Sequence, residues 1–133
     1  MIAGVADTHA ALWFLFGDSR LSPTAKDFFE KAATARRKIV LTPISLAEVV
    51  YLIEKNRLPA SAFDDLRTAL NNPNHVLEEA PFTADVVQVM RQIPRNAVPE
   101  MPDRIIAATA VFLGVPLISC DQRIRASAVQ TIW

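Results

Sequence analysis

Residues 2–16, Ile2-Ala3-Gly4-Val5-Ala6-Asp7-Thr8-His9-Ala10-Ala11-Leu12-Trp13-Phe14-Leu15-Phe16, decide the fold. Ile2 to Ala6 is a short apolar run of the kind that forms a buried strand, and Asp7-Thr8 is a helix-start signature. Ala10, Ala11, Leu12, Trp13, Leu15 and Phe16 supply the helix that follows. The remaining chain repeats this alternation. Ser22-Pro23 gives an N-cap and a first-turn proline for a helix over Thr24 to Arg36, with Ala25, Phe28, Phe29 and Ala32 on one face. Ile39 to Thr42 reads as the second strand. After Pro43, Leu46, Val49, Val50 and Ile53 recur at helical spacing, and Ala60 to Leu70 forms a further helix bounded by Pro59 and Asn71-Asn72-Pro73. These two helices make a hairpin.

Val76-Leu77 is a short third strand, Ala84 to Ile93 a helix, and Pro94 to Pro102 a proline-rich loop that delivers the chain to Asp103. Ile105, Ile106, Thr109, Phe112 and Leu113 form a buried helical stripe stopped by Gly114. Pro116 to Ser119 and Val129 to Trp133 complete the set as strands four and five. Strands alternating with helices imply an α/β class with a parallel sheet, covered on both faces and joined by right-handed crossovers. Trp13, Phe14 and Phe16 cannot all face one core from one helix, so part of that surface is a candidate to bury against another chain.

The chain has 133 residues, 51% of them hydrophobic and 21% charged, which predicts one domain over 1–133 able to bury a proper core. Fourteen Lys and Arg balance fourteen Asp and Glu, so a polyanion has to be met by local patches and not by global charge. A lone cysteine cannot make an intrachain disulfide, and the first apolar run lacks a preceding basic region. A cytoplasmic protein is expected. The longest apolar stretch, Ile105 to Ile118, is too short to span a bilayer and is broken by Gly114 and Pro116, so no membrane segment is expected.

The chemistry concentrates in acids. Asp7 ends the first strand, Asp103 opens a helix after Pro102, Asp121 follows Leu117-Ile118-Ser119-Cys120, and Glu48 stands after the second strand. In an open α/β sheet such positions converge at the carboxyl edge of the strands. Each acid also has a plainer use. Asp7, Asp103 and Asp121 can act as N-caps, and Ser45-Leu46-Ala47-Glu48 fits a capping box unless Thr42 is the cap with Pro43 in the first turn. Two carboxylates about 5 Å apart at an effective dielectric of about 20 repel by roughly 3 kcal/mol, so a cluster of them requires a cation. Oxygen-only ligands suit Mg²⁺ or Mn²⁺, and hydrolysis of phosphodiesters is the natural use of such an ion. His9, His75 and Cys120 match no zinc-ligand spacing, and Cys120 is expected to be a small core residue. Thr8, Ser119 and Arg104 are candidates to support the acids, the hydroxyls by hydrogen bonding and Arg104 by pairing with an acid or with phosphate. Arg36-Arg37-Lys38 reads as a solvated helix end.

Val5-Ala6-Asp7-Thr8-His9-Ala10, Ser45-Leu46-Ala47-Glu48-Val49, Met101-Pro102-Asp103-Arg104-Ile105-Ile106-Ala107-Ala108-Thr109-Ala110 and Leu117-Ile118-Ser119-Cys120-Asp121 together resemble PIN-domain ribonucleases of the VapC toxin type. The closing Val129 to Trp133 also resembles that family's last strand. The resemblance runs the length of the chain. It implies a three-layer α/β/α sandwich and an endoribonuclease that uses Mg²⁺ or Mn²⁺ with a metal-activated water. Asp7, Glu48, Asp103 and Asp121 match the family's acidic quartet, with Asp7, Asp103 and Asp121 as metal ligands. It also implies a homodimer, an RNA substrate and silencing by a small DNA-binding antitoxin. Ser119 stands where many relatives have Thr, and Glu100 where many have Asp, leaving a fifth acid without an assigned role.

Other readings make different demands. A PIN-type nuclease that is not a toxin keeps the same chemistry, and a catalytically inactive binding module keeps the fold and uses the acids only as caps. A phosphatase of the haloacid-dehalogenase type would use Asp7 as nucleophile, but it needs an Asp two residues on, where this chain has His9.

Overall fold

A computed structural model describes residues 1–133. Five parallel strands, β1 (Ile2–Ala6), β2 (Lys38–Leu41), β3 (Leu77–Glu79), β4 (Leu117–Ile118) and β5 (Thr131–Ile132), form one sheet in the order β3-β2-β1-β4-β5. Between them run α1 (Thr8–Leu15), α2 (Pro23–Thr34), α3 (Pro43–Glu54), α4 (Ala62–Asn71), α5 (Ala84–Met90), α6 (Met101–Leu113) and α7 (Gln122–Ala126).

A parallel sheet must be covered on both faces, and its strands alternate accordingly. Ile39 and Leu41 of β2 point into one apolar cluster with Ala10, Leu12, Phe29 and Leu66 of the α1, α2 and α4 side. Val40 points the other way, with Val5 and Leu117, into a second cluster with Val86, Ile106, Ala107 and Ile124 of α5, α6 and α7. Each large side chain so buried stabilises the fold by about 1.5–3 kcal/mol. Phe14 stacks on the fully buried Phe29 with ring centroids 4.3 Å apart, Trp13 packs against Trp133, and Phe16 is left 46% exposed. The three aromatics of α1 therefore divide between core and surface, as their spacing requires.

Local signals explain most element ends. Ser22 caps α2 by accepting from the Ala25 amide, Thr42 caps α3 by accepting from the Ile44 amide, and Pro23 and Pro43 sit in the first turns where no N–H is missed. Thr42 is thus a cap and not the last residue of β2, and the Ser45 capping box does not form. Gly114 ends α6 in the left-handed conformation that its missing Cβ allows. Three expectations need correction. The loop before Asp103 ends earlier than Pro102, because α6 begins at Met101. Phe112 is 46% exposed and Leu113 half-buried, because the buried part of α6 is the unbroken run Ile105 to Ala110, enclosed on all sides, and its last turn runs past it. The strands are also shorter than their apolar runs, since β4 and β5 pair over only two residues each.

β1 carries an extra residue. Ile2 lies opposite Lys38 and Gly4 opposite Ile39, so Ala3 bulges from the β2 pairing. Gly4 is then pressed between helix and sheet: a Cβ there would come within 3.1 Å of Phe28 Cε1 and 3.1 Å of the Pro116 carbonyl oxygen. That carbonyl accepts the Val5 amide at 3.0 Å and has little room to move. Overpacking costs about 1–3 kcal/mol, against about 0.5–1 kcal/mol gained by replacing a strand glycine with alanine. Gly4→Ala is therefore expected to destabilise the protein by about 1 kcal/mol, seen as a lower urea midpoint with an unchanged m-value. An equal or higher midpoint would show that Phe28 and β4 yield freely.

Candidate metal centre

β2 and β3 lie on one side of β1, while β4 and β5 lie on the other. Chain leaving the carboxyl end of β1 and chain leaving β4 therefore separate around a crevice, the place where open α/β sheets bind ligands. Asp7 and Thr8 leave β1 there, Ser119 to Asp121 leave β4, Glu48 projects from the second turn of α3, and Asp103 lies in the first turn of α6. Asp7, Glu48, Asp103 and Asp121 line one pocket of about 120 Å³ together with Thr8, His9 and Cys120.

Two of the acids are also caps. Asp7 Oδ1 accepts the Ala10 amide at 2.8 Å, and Asp121 Oδ1 accepts the Arg123 and Ile124 amides at 2.9 and 3.0 Å. In both, one carboxylate oxygen carries the cap. Capping and pocket lining are thus both true of Asp7 and Asp121, so neither use excludes the other. Asp103 caps nothing: Glu100 holds the cap position of α6 without a side-chain bond.

Thr8 fixes Glu48. Thr8 Oγ1 lies 2.6 Å from Glu48 Oε1 and 2.9 Å from Ser45 Oγ, and a hydroxyl has one proton, so Thr8 donates to the carboxylate and accepts from Ser45. All three positions come from helices that start at the sheet edge. Ser119 is fully buried, and its Oγ accepts the Asp121 amide at 3.1 Å. Ser119 therefore braces the turn that presents Asp121.

The electrostatics are those of crowded anions. Asp7 is 9% exposed, and burial raises its pKa, with the Ser119 side chain, the Ala10 amide and His9 pulling the other way. Asp103 is pushed up to about 6, first by burial and then by Asp121, Glu48, Asp7 and Glu100. Burial, with Asp7 close by, also raises the Cys120 thiol. That thiol is half-exposed on the pocket wall, contrary to its expected place in the core. No three His, Cys, Asp or Glu side chains stand close enough to form a finished cage. The acids ring the pocket, and this suits a small hard cation that keeps several waters and takes one or two carboxylates directly.

Arg104 departs from expectation. Its Nη2 donates to the Met90 and Ile93 carbonyls, each at 2.9 Å, so it ties α6 to the end of α5 and faces away from the acids. Its Nε is buried without a partner. Sequence reasoning also passed over His9 as a wall of the pocket. The signal was available, since His9 lies two residues beyond Asp7 in the first turn of α1.

Comparison with known proteins identifies the family of the chain. The PIN domain family matches residues 5–129. Ribonuclease VapC22 of Mycobacterium tuberculosis (strain ATCC 25618 / H37Rv) is 28% identical over 125 residues, 94% of this chain and 92% of that protein. The crystal structure of VapBC2 from Rickettsia felis bound to a DNA fragment from their promoter shares the fold with a TM-score of 0.71 at 17% identity, over 98% of this chain and 97% of that one. A toxin-antitoxin complex from Klebsiella pneumoniae gives a TM-score of 0.64 at 19% identity, over 98% of this chain and 97% of that one. The family match covers nearly the whole chain, which belongs to the PIN-domain family.

Proposed function

We propose that this protein is a divalent-metal-dependent endoribonuclease and the toxin of a toxin–antitoxin pair. The observation that carries the proposal is the meeting of Asp7, Glu48, Asp103 and Asp121, from four separate segments, on the walls of one pocket. Asp7 and Asp103 would hold the principal Mg²⁺ or Mn²⁺ ion, and Asp121 would complete the site through water or serve a second ion. A cation held there supplies Lewis acidity toward a phosphate oxygen and acidifies water. Glu48, immobilised by Thr8, accepts a hydrogen bond from the attacking water and orients it toward phosphorus. RNA as substrate is supported by the relative named a ribonuclease, and a small antitoxin partner by structural neighbours described as toxin–antitoxin complexes. Assembly as a homodimer would bury some of the exposed Val50, Tyr51, Phe82 and Phe112. No helix is long and apolar enough to cross a membrane.

Asn caps a helix about as well as Asp but is a poor substitute for an anionic ligand. Asp7→Asn and Asp103→Asn are expected to lower the rate of RNA cleavage in Mn²⁺ by at least about 100-fold, while leaving metal-free stability equal or higher. Parent-like cleavage by both variants, together with a parent indifferent to metal, would leave Asp7 only its cap and remove the metal site. Mn²⁺ at about 100 times its Kd should add about 2.7 kcal/mol of stability to the parent and less to Asp103→Asn, read as the shift in thermal midpoint.

The pH dependence has a definite sign. An ordinary Asp titrates at 3.8, whereas Asp103 titrates at about 6 in the folded chain, so folding takes up protons between these values. In metal-free protein this residue's contribution to stability falls as pH rises from about 4 to about 6, and Asp103→Asn removes that fall. With metal the trend opposes it, because protons compete with the cation below about pH 6. Thermal melts at pH 4.5 and 7, with and without Mn²⁺, measure both arms. Parallel melts for parent and variant would contradict the assignment.

A further inference from the structure

A second cleft, of about 510 Å³, opens beside the carboxylate pocket between α1 and the chain joining α3 to α4. His9 is the one residue that lines both. Its exposed ring lies against Trp13 with centroids 5.6 Å apart and planes at 51°, and the half-exposed Phe16 extends the aromatic wall. Two arginines edge the cleft. Arg20 lies over the Trp13 ring, 5.0 Å from its centroid, and Arg57 is exposed with its guanidinium in no ion pair. Asp18, the only acid of the lining, is already held by Arg20 at 2.8 Å. The cleft is therefore aromatic and locally cationic in a chain with no net charge.

Those properties match an unpaired nucleotide. Single-stranded RNA is recognised by stacking its bases on aromatic or guanidinium planes, and its phosphates need cations. Arg104 is turned away from the pocket, so a phosphate beside the cleaved bond finds no cation from α6. By way of the His9 wall it can reach Arg57, which is in no ion pair, whereas Arg20 is already paired with Asp18. We propose that the His9–Trp13 cleft is the subsite for the nucleobase adjoining the cleaved bond of single-stranded RNA, with His9 stacking on the base and Arg57 pairing with its phosphate. The proposal rests on the ribonuclease reading and adds to it a residue that determines how the substrate binds.

The test uses the full chain with Mn²⁺ and a single-stranded oligoribonucleotide that the parent cleaves. His9→Ala should lower kcat/KM by about 5- to 150-fold, mainly through KM, and His9→Phe should restore it to within about threefold. Replacing the base next to the cut by an abasic ribose should cost the parent a similar factor and cost His9→Ala almost nothing more. In the Asp103→Asn background, where cleavage is slow, a fluorescent copy of the oligonucleotide should show the same loss of affinity on His9→Ala by anisotropy. Arg57→Gln should lower the slope of log affinity against log salt by about 1. His9→Ala keeps a Mn²⁺ shift in thermal midpoint that Asp103→Asn reduces, separating a lost stacking partner from a damaged acidic site. Parent-like cleavage by His9→Ala, or an abasic loss as large in the variant as in the parent, overturns the subsite while the nuclease reading stands. If His9→Ala spares RNA but weakens the hold on a copurifying protein, the cleft is a protein-docking surface and the subsite is likewise overturned. A parent that cuts no RNA and shows no Mn²⁺ shift removes the nuclease reading and the subsite together.

Discussion

The structure depends on β1 being paired along both edges. Its backbone is bonded to β2 on one side and β4 on the other, and the Asp7 amide still reaches the Ile118 carbonyl at 3.0 Å as the chain leaves the sheet. A strand so enclosed can carry only small or branched side chains, which is what Ala3, Gly4, Val5 and Ala6 are. Because its neighbours continue the sheet in opposite directions, the helices that follow β1 and β4 must part at its end. The acids gather in the gap because the topology makes it, and no one acid creates the site.

Gathering them carries an electrostatic cost, and the fold offsets part of it locally. Amides at the starts of α1 and α7 satisfy Asp7 and Asp121, and Thr8 satisfies one oxygen of Glu48. Asp103 receives no such bond, and its pKa is raised first by burial and then by the neighbouring acids. An anionic enclosure of this kind is a poor host for RNA by itself. Under the proposed function, a cation between the acids and positive side chains just outside them would resolve that conflict.

Sequence periodicity and punctuation were enough for the α/β class, for the order of elements and for the position of each acid near a strand or helix end. Asp7 and Asp121 were legible because a polar residue after an apolar run has few places to go in a parallel sheet. Strand limits were less so, because β4 and β5 pair over two residues inside longer apolar runs and β3 runs on past Val76-Leu77 into Glu78 and Glu79, and pairing is a property of two segments. Ile105 to Ala110 misled because a helix buried on every side has no single apolar stripe to read. Arg104 misled through its neighbour: residues adjacent in a helix do not share a face, so closeness to Asp103 in number argued against a common target. Cys120 fell on the pocket wall because it lies past the end of β4, in the turn that Ser119 braces.

The strap from Arg104 to the Met90 and Ile93 carbonyls has a wider meaning. Surface connections between helices ordinarily drift in length and composition with little effect on what lies elsewhere. Here the connection from α5 to α6 is anchored one residue from Asp103, so an insertion or a stiffening proline within residues 91–100 would be transmitted as a small rotation of that carboxylate. Changes in the length of this segment would then reshape the acidic pocket without a single substitution inside it.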